Sequence, residues 1–163
     1  MTLESSPTSS FARASYWPRV LGLALGFVTL ASVLLERQAP WWFWLGPALH
    51  AFVWPHVAWW LARHKNDPLE GELRNQLVDH FIGGLWLPAI AFNLLPSALM
   101  VSMMAMDSMI GGGMRQLRRG LLAHTAGALC GMALFGLHWQ PASSLNTVLA
   151  CLPLLLLHPM GVG

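Results

Sequence analysis

The stretch Trp17-Pro-Arg-Val-Leu-Gly-Leu-Ala-Leu-Gly-Phe-Val-Thr-Leu-Ala-Ser-Val-Leu-Leu35 decides the fold. It is an apolar run close to the roughly 20 residues that a helix needs to cross the hydrocarbon core of a bilayer. Glu36-Arg37-Gln38 follows it without a small-x-small cleavage pattern, so the run reads as a retained anchor rather than a secretory signal, although Arg13 and Arg19 flank its start. Upstream, residues 1–16 (MTLESSPTSSFARASY) are polar and rich in Ser and Thr, which predicts a cytoplasmic tail ending at the membrane surface.

The rest of the chain repeats the pattern of the opening run. Of its 163 residues 55% are hydrophobic and 10% charged, and the mean hydropathy is +0.52, whereas a soluble domain carries charge on about a quarter of its residues. The expected fold is therefore an all-α polytopic membrane protein, a bundle of six transmembrane helices with both termini cytoplasmic. The expected spans are 17–35, 41–62, 79–95, 97–114, 118–138 and 145–163. Their edges come from Pro, Gly and charge, because a helix buried in lipid is apolar nearly all round and shows no period. Spans three and four should form a tight hairpin at Leu95-Pro96-Ser97, and Gly111-Gly112-Gly113 should stop span four or hinge it. Pro47, Pro55, Pro88, Pro153 and Pro159 fall inside spans, where each removes a backbone hydrogen bond and can bend the helix.

Lys and Arg set the expected orientation. With the N-terminus inside, Arg13, Arg19, Arg63, Lys65, Arg74, Arg115, Arg118 and Arg119 are cytoplasmic and Arg37 alone is outside, eight against one. Trp41, Trp42, Trp44, Trp59, Trp60 and Trp139 sit where interfacial anchors belong. In the loop 63–78, Asp67 can cap a helix whose first residue is Pro68, with Glu70 placed for a capping box. Leu69, Leu73 and Leu77 oppose Glu70 and Arg74, which predicts a short amphipathic helix on the membrane surface or beneath the bundle.

Counting inward at about 1.5 Å per residue, His56, Asp107, His124 and His158 fall at similar depth in the inner half of the membrane. An ionisable group there is a functional candidate by default. Asp107 and His124, on neighbouring antiparallel helices, are expected to meet. Gly22 with Gly26 and Gly127 with Gly131 form GxxxG pairs, read equally as packing within the chain or a dimer seam. Met100, Met103, Met104, Met106 and Met109 supply soft thioethers; their spacing spirals around a helix, which favours a deformable apolar wall over a copper path. His56 facing His124 or His158 would suit a haem, but no CxxCH is present for covalent attachment. No metal site is assigned, and Cys130 and Cys151 lie in apolar runs that exclude a disulfide framework. Neither a nucleotide-binding glycine loop nor a nucleophile motif occurs, so no enzyme activity of its own and no nucleic-acid binding are expected.

At Phe11-Ala-Arg-Ala-Ser-Tyr-Trp-Pro-Arg19, Trp54-Pro-His-Val-Ala-Trp59, Asp67-Pro-Leu69, Asn93-Leu-Leu-Pro-Ser97 and Gly111–Gly113, the chain resembles the second type of bacterial membrane-associated sensor domain, the MASE family. The likeness runs from about Phe11 to the C-terminus. It implies a multi-pass input module of the bacterial inner membrane, N-terminal to a diguanylate cyclase or a class III adenylate cyclase and working as a homodimer. Since family members continue past the point corresponding to Gly163, a cytoplasmic cyclase output domain is expected beyond it.

The expected function is to sense a lipophilic or fatty-acid-like signal taken from the bilayer, with no cofactor. The expected pocket is apolar, lined by Met and Trp with a few polar groups, and the residues expected to bind the ligand or act as the switch are His56, Asp107, His124, His158, Trp54, Trp59, Asn93 and Met103. The alternatives are a small proton-coupled transporter and a haem-binding redox sensor.

Overall fold

A computed structural model describes residues 15–162; the expected tail lies almost wholly outside the described residues. Helices make up the regular structure, and no strand occurs among the described residues. Helix α1 spans Tyr16–Glu36. A 3-10 turn, Trp41–Trp44, leads into α2, Leu45–Phe52, and α3, Trp54–Arg63. Then come α4, Pro68–Ala89, α5, Leu94–Phe135, and α6, Leu145–Val162.

Helix α5 is two rods. At about 1.5 Å per residue its 42 residues would reach about 63 Å, twice the bilayer core. The helix breaks at Gly112 and Gly113, and Gly113 has φ of 61° and ψ of −157°, a conformation open to glycine. His80 bonds Ser108 on the first arm and also fills the space beside Gly120 on the second. The arms therefore run antiparallel along α4, each close to the thickness of a bilayer core. The glycine run stops the first arm, one of the two roles that its sequence suggested.

Other boundaries moved for physical reasons. Only α1 and α5 are, by length and composition, apolar enough to cross a membrane on their own among the described residues, not six helices. The run expected as span two is interrupted at Val53, because Pro55 has no N–H to give back along the chain. Helix α4 begins at Pro68 and continues to Ala89, so the surface helix and span three are one element. Asp67 caps it as expected, accepting from the backbone N–H of Leu69 and Glu70 at 3.0 and 3.3 Å. Glu70 pairs with Arg74 instead of closing a capping box. The expected turn at Leu95-Pro96-Ser97 lies earlier, where Ala91 and Phe92 both have φ of 53°; Pro96 sits in the first turn of α5, where a missing N–H does no harm.

The inward face of α4 is the reverse of the expected one. Glu72, Asn75, Gln76 and His80 are buried, while Leu69, Leu73 and Leu77 are only half-buried. Each of these inward side chains finds at least one partner, which is what makes its burial tolerable. Asn75 donates to the Ala58 carbonyl at 2.7 Å, and Gln116 donates to the Leu73 carbonyl at 2.6 Å.

Helix α6 runs antiparallel to α1: His158 lies beside Gly22, Thr29 reaches the Ala150 carbonyl, and Ser32 reaches Thr147. The two described ends of the chain are thus at the same end of the bundle. Gly71 against Ala62, and Gln116 against Leu73, bring the α3–α4 loop and the Gly112 turn to that end as well. At the other end, Asn93 bonds Ala142 and Ser143, and Ser144 bonds Glu36. Two apolar clusters complete the bundle: Leu30, Val33 and Leu34 of α1 on Trp86, Ala89 and Ile90, and Leu99 with Met103 on Cys151 and Leu154.

Candidate functional site

Helix α1 carries Arg19 one turn inside its start, and α4 runs parallel beside it. Glu72 and Asp79, seven residues apart on α4, are two turns apart on one face. Both meet Arg19: the guanidinium reaches Glu72 Oε1 at 2.5 Å through Nη2 and Asp79 Oδ2 at 2.9 Å through Nε. Trp54 Nε1 donates to the other Asp79 oxygen at 2.5 Å, and His50 Nε2 is 3.9 Å from it. All of these side chains except that of Trp54 line a single cavity. A buried ion group of this kind holds together through its hydrogen bonds, because removing one partner strands the others away from water.

The cavity, about 380 Å³, lies among α1, α2, α4, the first arm of α5, and α6. Its size falls within the range of small-molecule sites. Leu23, Phe27, Leu30, Met103 and Leu154 form apolar wall, and Met100 and Met104 add thioethers. Arg19, Glu72, Asp79, His80, Asp107 and His158 form a polar floor. His158 Nε2 lies 3.4 Å from Asp107 Oδ2. His80 Nε2 is 2.7 Å from Ser108 Oγ and 3.1 Å from the Met104 carbonyl. The last contact fixes the ring: a carbonyl only accepts, so Nε2 carries the proton.

The residues singled out from sequence divide into three groups. Asp107, His158 and Met103 come together on the cavity, as do Gly22 and Gly26. His124 is buried elsewhere, packed on α4 with its ring 6.0 Å from that of His80. The expected Asp107–His124 pair is therefore replaced by Asp107–His158, and the two imidazoles that meet are His80 and His124 rather than His56 with either partner. His56 is exposed, with Nδ1 2.8 Å from the Tyr16 hydroxyl; the Trp59 ring is tilted against that of Tyr16 and lies under the Arg63 guanidinium. Trp54 reaches the site through Asp79 alone. Asn93 is at the opposite end of the bundle, where it ties the turn before α5 to the loop before α6.

The glycine pairs also separate. A methyl group at Gly127 would overlap the Phe81 carbonyl, and one at Gly131 would come 2.5 Å from the Leu85 carbonyl, so this pair draws the second arm of α5 onto α4. Gly26 instead faces open cavity, and Gly22 faces the His158 ring.

Arg19, His50, Glu72, Asp79 and His80 are the functional candidates that sequence reasoning missed. One signal was present: Glu72, Gln76, Asp79 and Gly83 recur every three or four residues, a polar and small stripe at helical spacing on one face of α4.

Comparison with known proteins places the chain in a family. The MASE2 domain model matches residues 14–102, a stretch that includes Arg19, His50, Glu72, Asp79 and His80. A protein described as "Probable diguanylate cyclase DgcC" from Escherichia coli strain K12, and one of the same description from Escherichia coli O6:H1 strain CFT073, are each 35% identical to it over 153 residues, covering 94% of this chain. The chain spans 41% of the length of these relatives. No solved structure matches it. With a family model covering more than half of its length, the chain belongs to the MASE2 family of membrane-associated sensor domains.

Proposed function

We propose that this domain receives a lipophilic, membrane-borne signal in the cavity and passes it to a nucleotide cyclase joined on the C-terminal side of α6. The observation that carries the reading is the position of His158. It is on α6, two turns or less from the end of that helix, yet it forms part of the cavity floor with Asp107. A ligand that favours one seating of His158 over another biases the position of α6, and differential affinity of that kind is what a receptor requires. A diguanylate cyclase is the proposed output, in keeping with the description of the two relatives; an adenylate cyclase would use the same device.

Six crossings of the bacterial inner membrane, with both ends cytoplasmic, are supported by the antiparallel arms of α5 and by α6 running back along α1. The basic residues Arg63, Lys65, Arg74, Arg115, Arg118 and Arg119 gather at the end of the bundle where the described chain begins and finishes, and Arg37 is at the other. The domain works as a homodimer in this reading, since the outputs that the family carries form their sites between two chains. Its seam lies away from Gly127 and Gly131, which are already used inside the chain.

The test joins the domain to a diguanylate cyclase and measures cyclic-di-GMP production in membranes while amphiphiles of matched chain length (decylamine, decanol, decanoate) are added. A saturable change in output with at least one of them, lost in Gly26→Leu, supports the reading; output insensitive to all three and to Gly26→Leu removes it. A second reading draws on a line of contacts, His158 to Asp107, Ser108 to His80, and His80 against His124, that resembles a proton path. Proton-coupled flux into proteoliposomes that Asp107→Asn abolishes would favour that transporter over the receptor.

A further inference from the structure

Two pairs of helices face each other across the cavity. Helices α4 and α5 are joined backbone to backbone, where Gly84 meets the His124 carbonyl and Gly127 that of Phe81. Helix α6 is joined to α1 at three levels, through His158 beside Gly22, Thr29 on the Ala150 carbonyl and Ser32 on Thr147. What ties one pair to the other changes along the bundle. In the far half, away from the two described ends of the chain, Leu30, Val33 and Leu34 pack on Trp86, Ala89 and Ile90, and Leu99 and Met103 pack on Cys151 and Leu154. Backbone bonds close the same end, Gln140 donating to Ala91 at 2.8 Å and Leu94 to Pro141 at 3.0 Å. In the near half the cavity lies between the pairs, and polar side chains bridge it. Arg19 of α1 reaches Glu72 and Asp79 of α4, and His158 of α6 lies 3.4 Å from Asp107 of α5. At the exposed rim Tyr16 meets His56 of α3, a helix that Asn75 bonds to α4.

The two kinds of tie respond differently to movement. Packed apolar helices slide or tilt by small amounts and keep most of their contact. A buried ion pair is closed or broken, because a charge drawn away from its partner in a dry site needs water in its place. The far half is therefore built to pivot and the near half to latch. Resting on the receptor reading above, we propose that α1 and α6 swing as one body about the far apolar clusters, and that Arg19 with Glu72 and Asp79 is the latch that holds the near half shut. The movement carries the C-terminal end of α6, and a ligand in the cavity acts by favouring one seating of the latch over the other.

Distances between spin labels on the full chain in lipid nanodiscs test this, with Cys130 and Cys151 replaced by Ala. Labels at Leu157→Cys and Leu122→Cys span α6 and the second arm of α5 in the near half; labels at Leu145→Cys and Leu134→Cys span the same two elements at the far end, and all four positions are exposed. Arg19→Met alone strands two carboxylates, so the latch is removed whole, as Arg19→Met with Glu72→Gln and Asp79→Asn, which leaves no unpaired charge behind and keeps the domain folded. Over the roughly 27 Å of the 18-residue α6, a tilt of about 10° carries its near end by about 5 Å. The expected result is a near-pair distance longer by that amount in the latch-free variant and a far-pair distance unchanged. A near pair that stays put, or two pairs that lengthen alike, would overturn the clamp, and neither result touches the receptor reading, which stands or falls on the amphiphile response and its loss in Gly26→Leu. A near pair that lengthens as expected, in a domain whose cyclase fusion answers no amphiphile, would uphold the clamp and remove the receptor.

Discussion

Gly22 and Gly26 have the same spacing as Gly127 and Gly131, yet Gly26 is used in the opposite way from the second pair. On the α4–α5 side, glycine lets backbone meet backbone: Gly127 and Gly131 abut the carbonyls of Phe81 and Leu85, and Gly84 abuts that of His124. On the α1–α6 side, Gly26 has nothing within 4 Å of where a methyl group would stand, and the space opens into the cavity. A small residue in a membrane helix therefore marks either a contact or a void, and the facing helix decides which. Here Gly26 shares the cavity lining with Asp107, His158 and the Arg19 ion group, and none of them reaches the place of its missing side chain.

The contrast can be broken most severely at its polar floor. Arg19→Met leaves Glu72 and Asp79 buried without a cation, and stability should fall by about 3–5 kcal/mol, read as loss of folded protein in thermal unfolding in detergent. On the packed side, Gly127→Ala should cost about 1–3 kcal/mol in the same assay, because neither the Phe81 backbone nor α5 can move without repacking. On the open side, Gly26→Ala should do the reverse and stabilise by about 0.4–1 kcal/mol, since the methyl group meets nothing and the unfolded chain loses freedom. Equal effects of the two glycine substitutions would erase the distinction between the pairs.

Much of this was legible in the sequence because it is local. The apolar run 17–35, the Asp67-Pro68 cap and the Gly111–Gly113 break each act within a few residues of themselves. The Asp107–His158 pair was not legible, because its partner depends on how α5 and α6 are rotated about their axes, and helices apolar all round carry no period to reveal it. Arg19 was hidden for a different reason. Near the end of a membrane span a basic residue reads as an orientation signal, yet here it turns inward to two carboxylates from a helix more than fifty positions away. The polar stripe on α4 was readable, but the leucines on the other face gave the more familiar pattern and pointed the helix the wrong way round.

The most direct test of the central claim, that the void beside Gly26 is where the signal is received, is the dose response of a cyclase fused to the domain, compared among the unsubstituted chain, Gly26→Ala and Gly26→Leu at equal amounts of folded protein. The account predicts that Ala retains the response to the amphiphile that changes output and that Leu, whose side chain would occupy the cavity, eliminates it. A Gly26→Leu domain responding with the same midpoint and amplitude as the unsubstituted one would contradict it.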